Sequence, residues 1–139
     1  DYKEKYSYPK KGEILISAAG TIGRTVVFNG EDAYFQDSNI VWISNNEQLV
    51  LNTFLRYLYG IIDWKIDGGT IKRLYNYNLK NATIYVPSLQ AQSRIVSILD
   101  TFEQSISNLE EQLAMREKQY EYYRNQLLTF EGEEERGKT

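Results

Sequence analysis

Residues 89–130 read LQAQSRIVSILDTFEQSISNLEEQLAMREKQYEYYRNQLLTF. Within them Ile95, Leu99, Phe102, Ile106, Leu109, Leu113, Arg116, Tyr120, Tyr123, Leu127 and Phe130 recur at alternating steps of four and three. That is the a/d seam of a coiled-coil helix, apolar throughout except at Arg116. At ~1.5 Å of rise per residue the seam runs roughly 50 Å, too long to bury against one small domain. Such a helix needs a partner helix, so these positions are the expected helix-pairing residues. A charge buried at Arg116 can fix register or pairing if a carboxylate or carbonyl meets it, and the alternative is that Arg116 snorkels out of the seam. Ser88 is placed to cap the helix, and Gly132 permits the left-handed residue that would end it.

Upstream of this helix the pattern is mixed. Residues 12–20, an apolar run bounded by glycines, predict a buried strand. Residues 24–28 predict a second strand closed by the turn pair Asn29-Gly30. Residues 33–35 and 39–43 read as two more, joined through polar Gln36, Asp37 and Ser38. Asn52 is placed as an N-cap, with Phe54, Leu55, Leu58, Ile61 and Ile62 on the apolar face of a helix that Gly68-Gly69 breaks. Asn76 is placed to cap a one-turn helix through Lys80, and residues 82–86 read as a last strand stopped by Pro87. The expected architecture is α+β: a small mixed α/β domain over residues 1–87, a long helix over 88–131, and a charged, disordered tail over 132–139. The chain opens on Asp1 with its first strand a dozen residues later, so a fragment lacking the N-terminal part of its globular domain is expected.

Composition narrows the chemistry. The 139 residues contain neither cysteine nor histidine, which removes disulfides, thiolate metal sites, the commonest general base and His-based triads. Tyrosine is frequent, 12 residues, and a phenol suits half-buried surfaces. Nothing approaches the ~20 apolar residues of a membrane span, so no membrane is expected as a partner, and a cytoplasmic setting is permitted. Residues 1–89 carry ten Lys/Arg against nine Asp/Glu, and residues 90–139 six against ten. Lys65, Lys72, Arg73 and Lys80 crowd one short segment against Asp67 alone, and local sign matters more than the total for a polyanion partner.

Two stretches could carry binding. Gly20-Thr21-Ile22-Gly23-Arg24 puts glycines around a strand-to-strand corner, where the backbone can approach a phosphate with Thr21 and Arg24 as donors. An ordinary tight turn accounts for the same residues. Residues 69–78 interleave Thr70, Lys72, Arg73, Tyr75, Asn76 and Asn78: amides able to bond adenine, guanidinium able to bond guanine, and cations and phenols for phosphate. A polar loop with tyrosines packed at the domain edge is the alternative. Glu13, Asp32, Asp37, Glu47, Asp63 and Asp67 show no metal-ligand spacing and read as solvated surface charge. The chain therefore reads as non-enzymatic, with no cofactor.

Three stretches in order resemble one family. Residues 12–17 followed by Gly20-Thr21-Ile22-Gly23, then residues 69–81 with Val86-Pro87-Ser88-Leu89 and Gln92, then residues 116–130, are similar to the specificity subunits of type I restriction–modification enzymes. The resemblance covers roughly residues 12–130. It implies a DNA-reading subunit without chemistry of its own, whose partners are double-stranded DNA, adenine-modifying methyltransferase subunits and a motor-nuclease subunit, in a bacterial or archaeal cytoplasm. Such subunits carry two target recognition domains, each followed by a conserved helix, and the paired antiparallel helices space the halves of a bipartite site. One recognition domain and one helix stand here, so a truncated C-terminal half, or a half-subunit forming a homodimer through the seam, is implied. Two other readings use the same residues: a coiled-coil scaffold whose head binds protein, and an anti-restriction decoy that occupies methyltransferase subunits without reading DNA.

Overall fold

The computed structural model describes residues 2–33, 39–66 and 72–129. Elements follow in the order α1 (Tyr2–Lys5), β1 (Ile14–Ser17), β2 (Thr25–Val27), β3 (Ile40–Trp42), α2 (Asn52–Tyr59), α3 (Asn76–Asn81) and α4 (Leu89–Leu128). The fold is thus α+β, a small antiparallel sheet with helices that include one of 40 residues. Two compact units divide between Ser97 and Ile98.

In the first unit the sheet order is β2-β1-β3, with both pairings antiparallel. Leu15 stands opposite Val26 on one side and Trp42 on the other. Alternation along β1 sends Ile14 and Ile16 inward, 3% and 0% exposed, while Leu15 and Ser17 stay half-buried. Helix α2 packs on β1 and β2. Its Leu55 and Tyr59, one turn apart, join Ile14, Ile16, Ala18, Trp64 and Leu74 in the core.

Several local readings change. Asn52 is the first residue inside α2 rather than its cap; the cap position is Leu51, without a side-chain bond. Asn52 is buried, its N–H bonded to Glu47 Oε1 (3.1 Å) and its Oδ1 accepting from Asn45 Nδ2 (2.8 Å). Ile61 and Ile62 lie beyond the helix, because it closes at Gly60 with a tight Gly60 N–H to Tyr57 O bond of 3.1 Å. Residues 82–86 form no strand. Ala82 and Ile84 are half-buried while Thr83 and Tyr85 face solvent, so the alternation in the sequence reports one-sided burial and not a ladder. Ala33 lies outside any strand, and Tyr34 and Phe35 fall outside the described residues.

Glu13 also departs from expectation, being 3% exposed. Its carboxylate accepts from Lys10 N–H (2.6 Å) and Asn45 N–H (3.1 Å). It therefore fixes the entrance of β1 to the segment after β3, satisfying two backbone donors that the sheet leaves over. Tyr59 lies near this charge. Burial first, and the Glu13 charge second, push its phenol up to about 12.

Helix α4 starts as the sequence suggests, with Ser88 Oγ accepting from Ala91 N–H (3.3 Å). Its first turns hold one fully buried polar side chain, Gln92. Gln92 Oε1 accepts from Leu51 N–H (2.8 Å), and Nε2 donates to Leu49 O (3.0 Å) and Pro87 O (2.9 Å). Every polar atom of the amide is used, and Val96 one turn on is buried beside it in sequence.

The second unit is the remainder of α4. Phe102, Ile106, Leu109, Leu113, Tyr120, Tyr123 and Leu127 are all at least 55% exposed. Arg116 bonds Gln119 along the helix (3.0 Å). Phe130 and Gly132 lie outside the described residues.

Candidate nucleic-acid interface

The first stretch is the β1–β2 connection. Ser17 staples it: its N–H donates to Arg24 O (2.8 Å), its carbonyl accepts from Gly23 N–H (2.9 Å), its Oγ accepts from Arg24 N–H (3.0 Å) and donates to Thr21 O. The tight path requires φ of +69° at Gly20 and +85° at Gly23, values a side chain rarely adopts. Thr21 and Arg24 are exposed, while Ile22 between them turns into the core.

The second stretch meets the first through backbone. Leu74 is 2% exposed and donates its N–H to Ala18 O (2.9 Å). That bond seats residues 72–77 beside the end of β1. Lys72 is exposed and Arg73 half-buried. Tyr75 and Tyr77 are about half exposed, their rings near parallel at 11° with centroids 6.0 Å apart. Asn76 is exposed as the first residue inside α3, and its expected capping role belongs to the neighbouring positions: Tyr75 is the cap residue, and its N–H donates to Asn78 Oδ1 (2.8 Å).

Asn78 does something else. It is 2% exposed, and its Nδ2 donates to Trp64 O and Lys65 O, each at 2.9 Å. Its amide is used on both sides, so it holds two loops together instead of facing outward. Trp64 is the common neighbour: a Cβ on Gly23 would lie 3.7 Å from its Nε1, and Tyr59 packs on it at 5.7 Å between centroids. Thr21, Arg24, Lys72, Arg73, Tyr75 and Asn76 therefore belong to segments gathered around Trp64 and Leu74. Thr70 lies outside the described residues.

Lys65 was visible in the sequence only as part of a basic segment. It follows Trp64, and its ammonium pairs with Asp63 Oδ2 at 2.6 Å. The bond to Lys65 holds the Asp63 carboxyl below the usual carboxylate range, and the same bond raises Lys65. Cations, stacked phenols and an exposed amide on these joined segments are groups that suit a sugar–phosphate backbone and exposed base edges. Among the described residues no group of three or more His, Cys, Asp or Glu could hold a metal, and no helix is long and apolar enough to cross a membrane.

A β-sheet head that presents basic loops and runs into a long amphipathic helix defines a class, and residues 1–115 match the family described as Type I restriction modification DNA specificity domain. The chain belongs to that family. It is 60% identical over 135 residues to a type I restriction enzyme specificity subunit of Haemophilus influenzae, covering 94% of this chain and 35% of that protein. Identity is 31% over 133 residues to the C-terminus of a type I specificity subunit of Mycoplasma pneumoniae, covering 93% of this chain and 89% of that one. It is 43% over 94 residues to a type I restriction enzyme specificity subunit of Escherichia coli, covering 60% of this chain and 23% of that one. The chain thus spans about a third of the first of these relatives.

Proposed function

We propose that this chain is the sequence-reading part of one half of a type I restriction–modification specificity subunit. In this reading the Trp64-centred face contacts double-stranded DNA through Thr21, Arg24, Lys72, Arg73, Tyr75 and Asn76. Asn78 positions these loops from within, and Thr70 is kept in the reading set by its place in the sequence. The chain does no chemistry itself; methyltransferase subunits modify adenine and a motor-nuclease subunit cuts, in a bacterial or archaeal cytoplasm.

The observation that carries the reading is the Leu74–Ala18 hydrogen bond, 2.9 Å, because it brings together the two stretches that the sequence offers for DNA contact. The exposed seam of α4 supports the second half of the proposal, that a helix of a second recognition unit, or of a second copy, pairs with it. An apolar stripe of this extent is stabilised by a partner helix at a/d positions. Arg116 would then turn from Gln119 to a carboxylate or carbonyl across the seam.

The test is enrichment of random-sequence duplex DNA by this chain co-purified with a methyltransferase subunit. A split motif with a fixed gap is expected, palindromic if two copies pair. A complex that enriches no sequence refutes DNA reading and leaves the decoy; no complex leaves the scaffold. For the helix, sedimentation equilibrium should show association that Leu113→Asp weakens at least tenfold, and a chain that stays monomeric at every concentration refutes self-pairing.

A further inference from the structure

We propose that Lys65 is a further phosphate-contacting residue of this face and that Asp63 is its internal competitor, occupying the ammonium until a DNA phosphate displaces it. The inference rests on the reading of the Trp64-centred face as a DNA surface.

Lys65 is the one non-glycine with positive φ among the described residues, at 52°. A side chain in that region costs free energy and persists only where surrounding bonds over-determine it. They do here: its N–H donates to Asp63 Oδ1 (3.0 Å), and its carbonyl and that of Trp64 both accept from buried Asn78. The backbone is locked, yet the side chain it presents is 82% exposed. Glycine or asparagine would relieve the strain at no loss to the core. The position therefore spends stability to hold a long cation at a fixed exit beside Tyr75, whose N–H bonds the same Asn78.

The ion pair supports a competitor. Asp63 is 70% exposed and meets Lys65 at 2.6 Å. An exposed pair of this kind contributes little and is screened by salt, so it exchanges easily. A duplex phosphate offers the same geometry together with release of a condensed counterion. Each phosphate contact by Lys65 must therefore first break its pair with Asp63. That exchange is exacted at every encounter and offset only where further contacts form, which makes Asp63 a device against indiscriminate binding.

The test uses the full chain and a fluorescein-labelled duplex of random sequence, with affinity measured across a salt series. At about 0.1 M salt, loss of one phosphate contact corresponds to about eightfold weaker binding and a salt slope reduced by about 0.9. Lys65→Gln and Lys72→Gln are each expected to show this. Asp63→Asn should tighten binding about 1.5- to 5-fold, the range spanned by exposed ion pairs. In the Lys65→Gln background that gain should vanish. If Lys72→Gln weakens binding while Lys65→Gln changes neither affinity nor slope, the role of Lys65 is overturned and the face stands. If Asp63→Asn tightens binding equally with Gln at position 65, Asp63 repels DNA directly and the competitor role is overturned. Failure of the unaltered chain to bind this duplex at low salt overturns the face and the inference together.

Discussion

Replacing Gln92 by alanine removes a fully buried amide that bonds Leu51 N–H, Leu49 O and Pro87 O at 2.8, 3.0 and 2.9 Å. An orphaned group away from water costs about 1–3 kcal/mol; this applies to the half-buried Leu51 and Pro87, whereas Leu49, 70% exposed, can turn its carbonyl to water. The sum is about 3 kcal/mol, and alanine's better helix propensity returns only about 0.4 kcal/mol of it. In a domain of this size that lowers Tm by roughly 10–20 °C. Urea unfolding followed by tryptophan fluorescence reads the change, since Trp64 lies in the core. Gln92→Glu sharpens the test. The acid keeps the acceptor for Leu51 N–H but aims a carboxylate at two carbonyls, which raises its folded pKa above the unfolded ~4.3. Its stability is therefore present below that pH and lost as pH rises through the folded value, so Gln92→Glu should approach wild type in acid and fall away at neutrality. A Gln92→Ala change under about 0.5 kcal/mol, typical of surface sites, would refute the reasoning.

Three further outcomes are expected. Tyr59, with its phenol pushed up to about 12, favours the folded state below the ordinary pH 10 and loses that contribution as pH rises toward 12; Tyr59→Phe should flatten the alkaline fall in stability seen by circular dichroism. Gly20→Ala and Gly23→Ala should each cost about 1–2 kcal/mol in urea unfolding, from positive φ alone. Gly23→Leu should cost more than Gly20→Leu, because only the former side chain grows toward Trp64. Asn78→Ala, which frees Tyr75 N–H and the Trp64 and Lys65 carbonyls, should destabilise by about 2–4 kcal/mol and weaken DNA binding even where the chain remains folded; unchanged binding at full foldedness would remove its positioning role.

The strands β1 and β2 were legible because glycines bound them and their apolar residues alternate or cluster. The long helix was legible because its repeat holds over ten turns. What failed to show was polarity turned inward. Glu13 and Asn78 have the same letters as solvated residues, and only the fold reveals the backbone donors and carbonyls that surround them. Sequence places the caps of α2 and α3 one position late, at Asn52 and Asn76 instead of Leu51 and Tyr75, since an asparagine inside the first turn is indistinguishable in sequence from one just before it. Residues 82–86 alternate like a strand without pairing as one. In the candidate site the cations and tyrosines are legible from their interleaving over residues 69–78, whereas the convergence on Trp64 depends on long-range bonds, Leu74 N–H to Ala18 O and Asn78 to the Trp64 and Lys65 carbonyls, that no local pattern encodes.

Gln92 has one more consequence. Counting back from Ile95 and Leu99 by three and four, it falls on the seam itself, so the helix carries its own angular origin. Each residue advances a helix by about 100°, so a single insertion between Gln92 and Leu99 would put Gln92 out of phase with the later seam positions by about a quarter-turn. Seven inserted residues return it to within about 20° while adding about 10 Å of length. The helix can therefore be lengthened almost without being turned, but only in steps close to whole turns, and distance along it is tunable where direction is not.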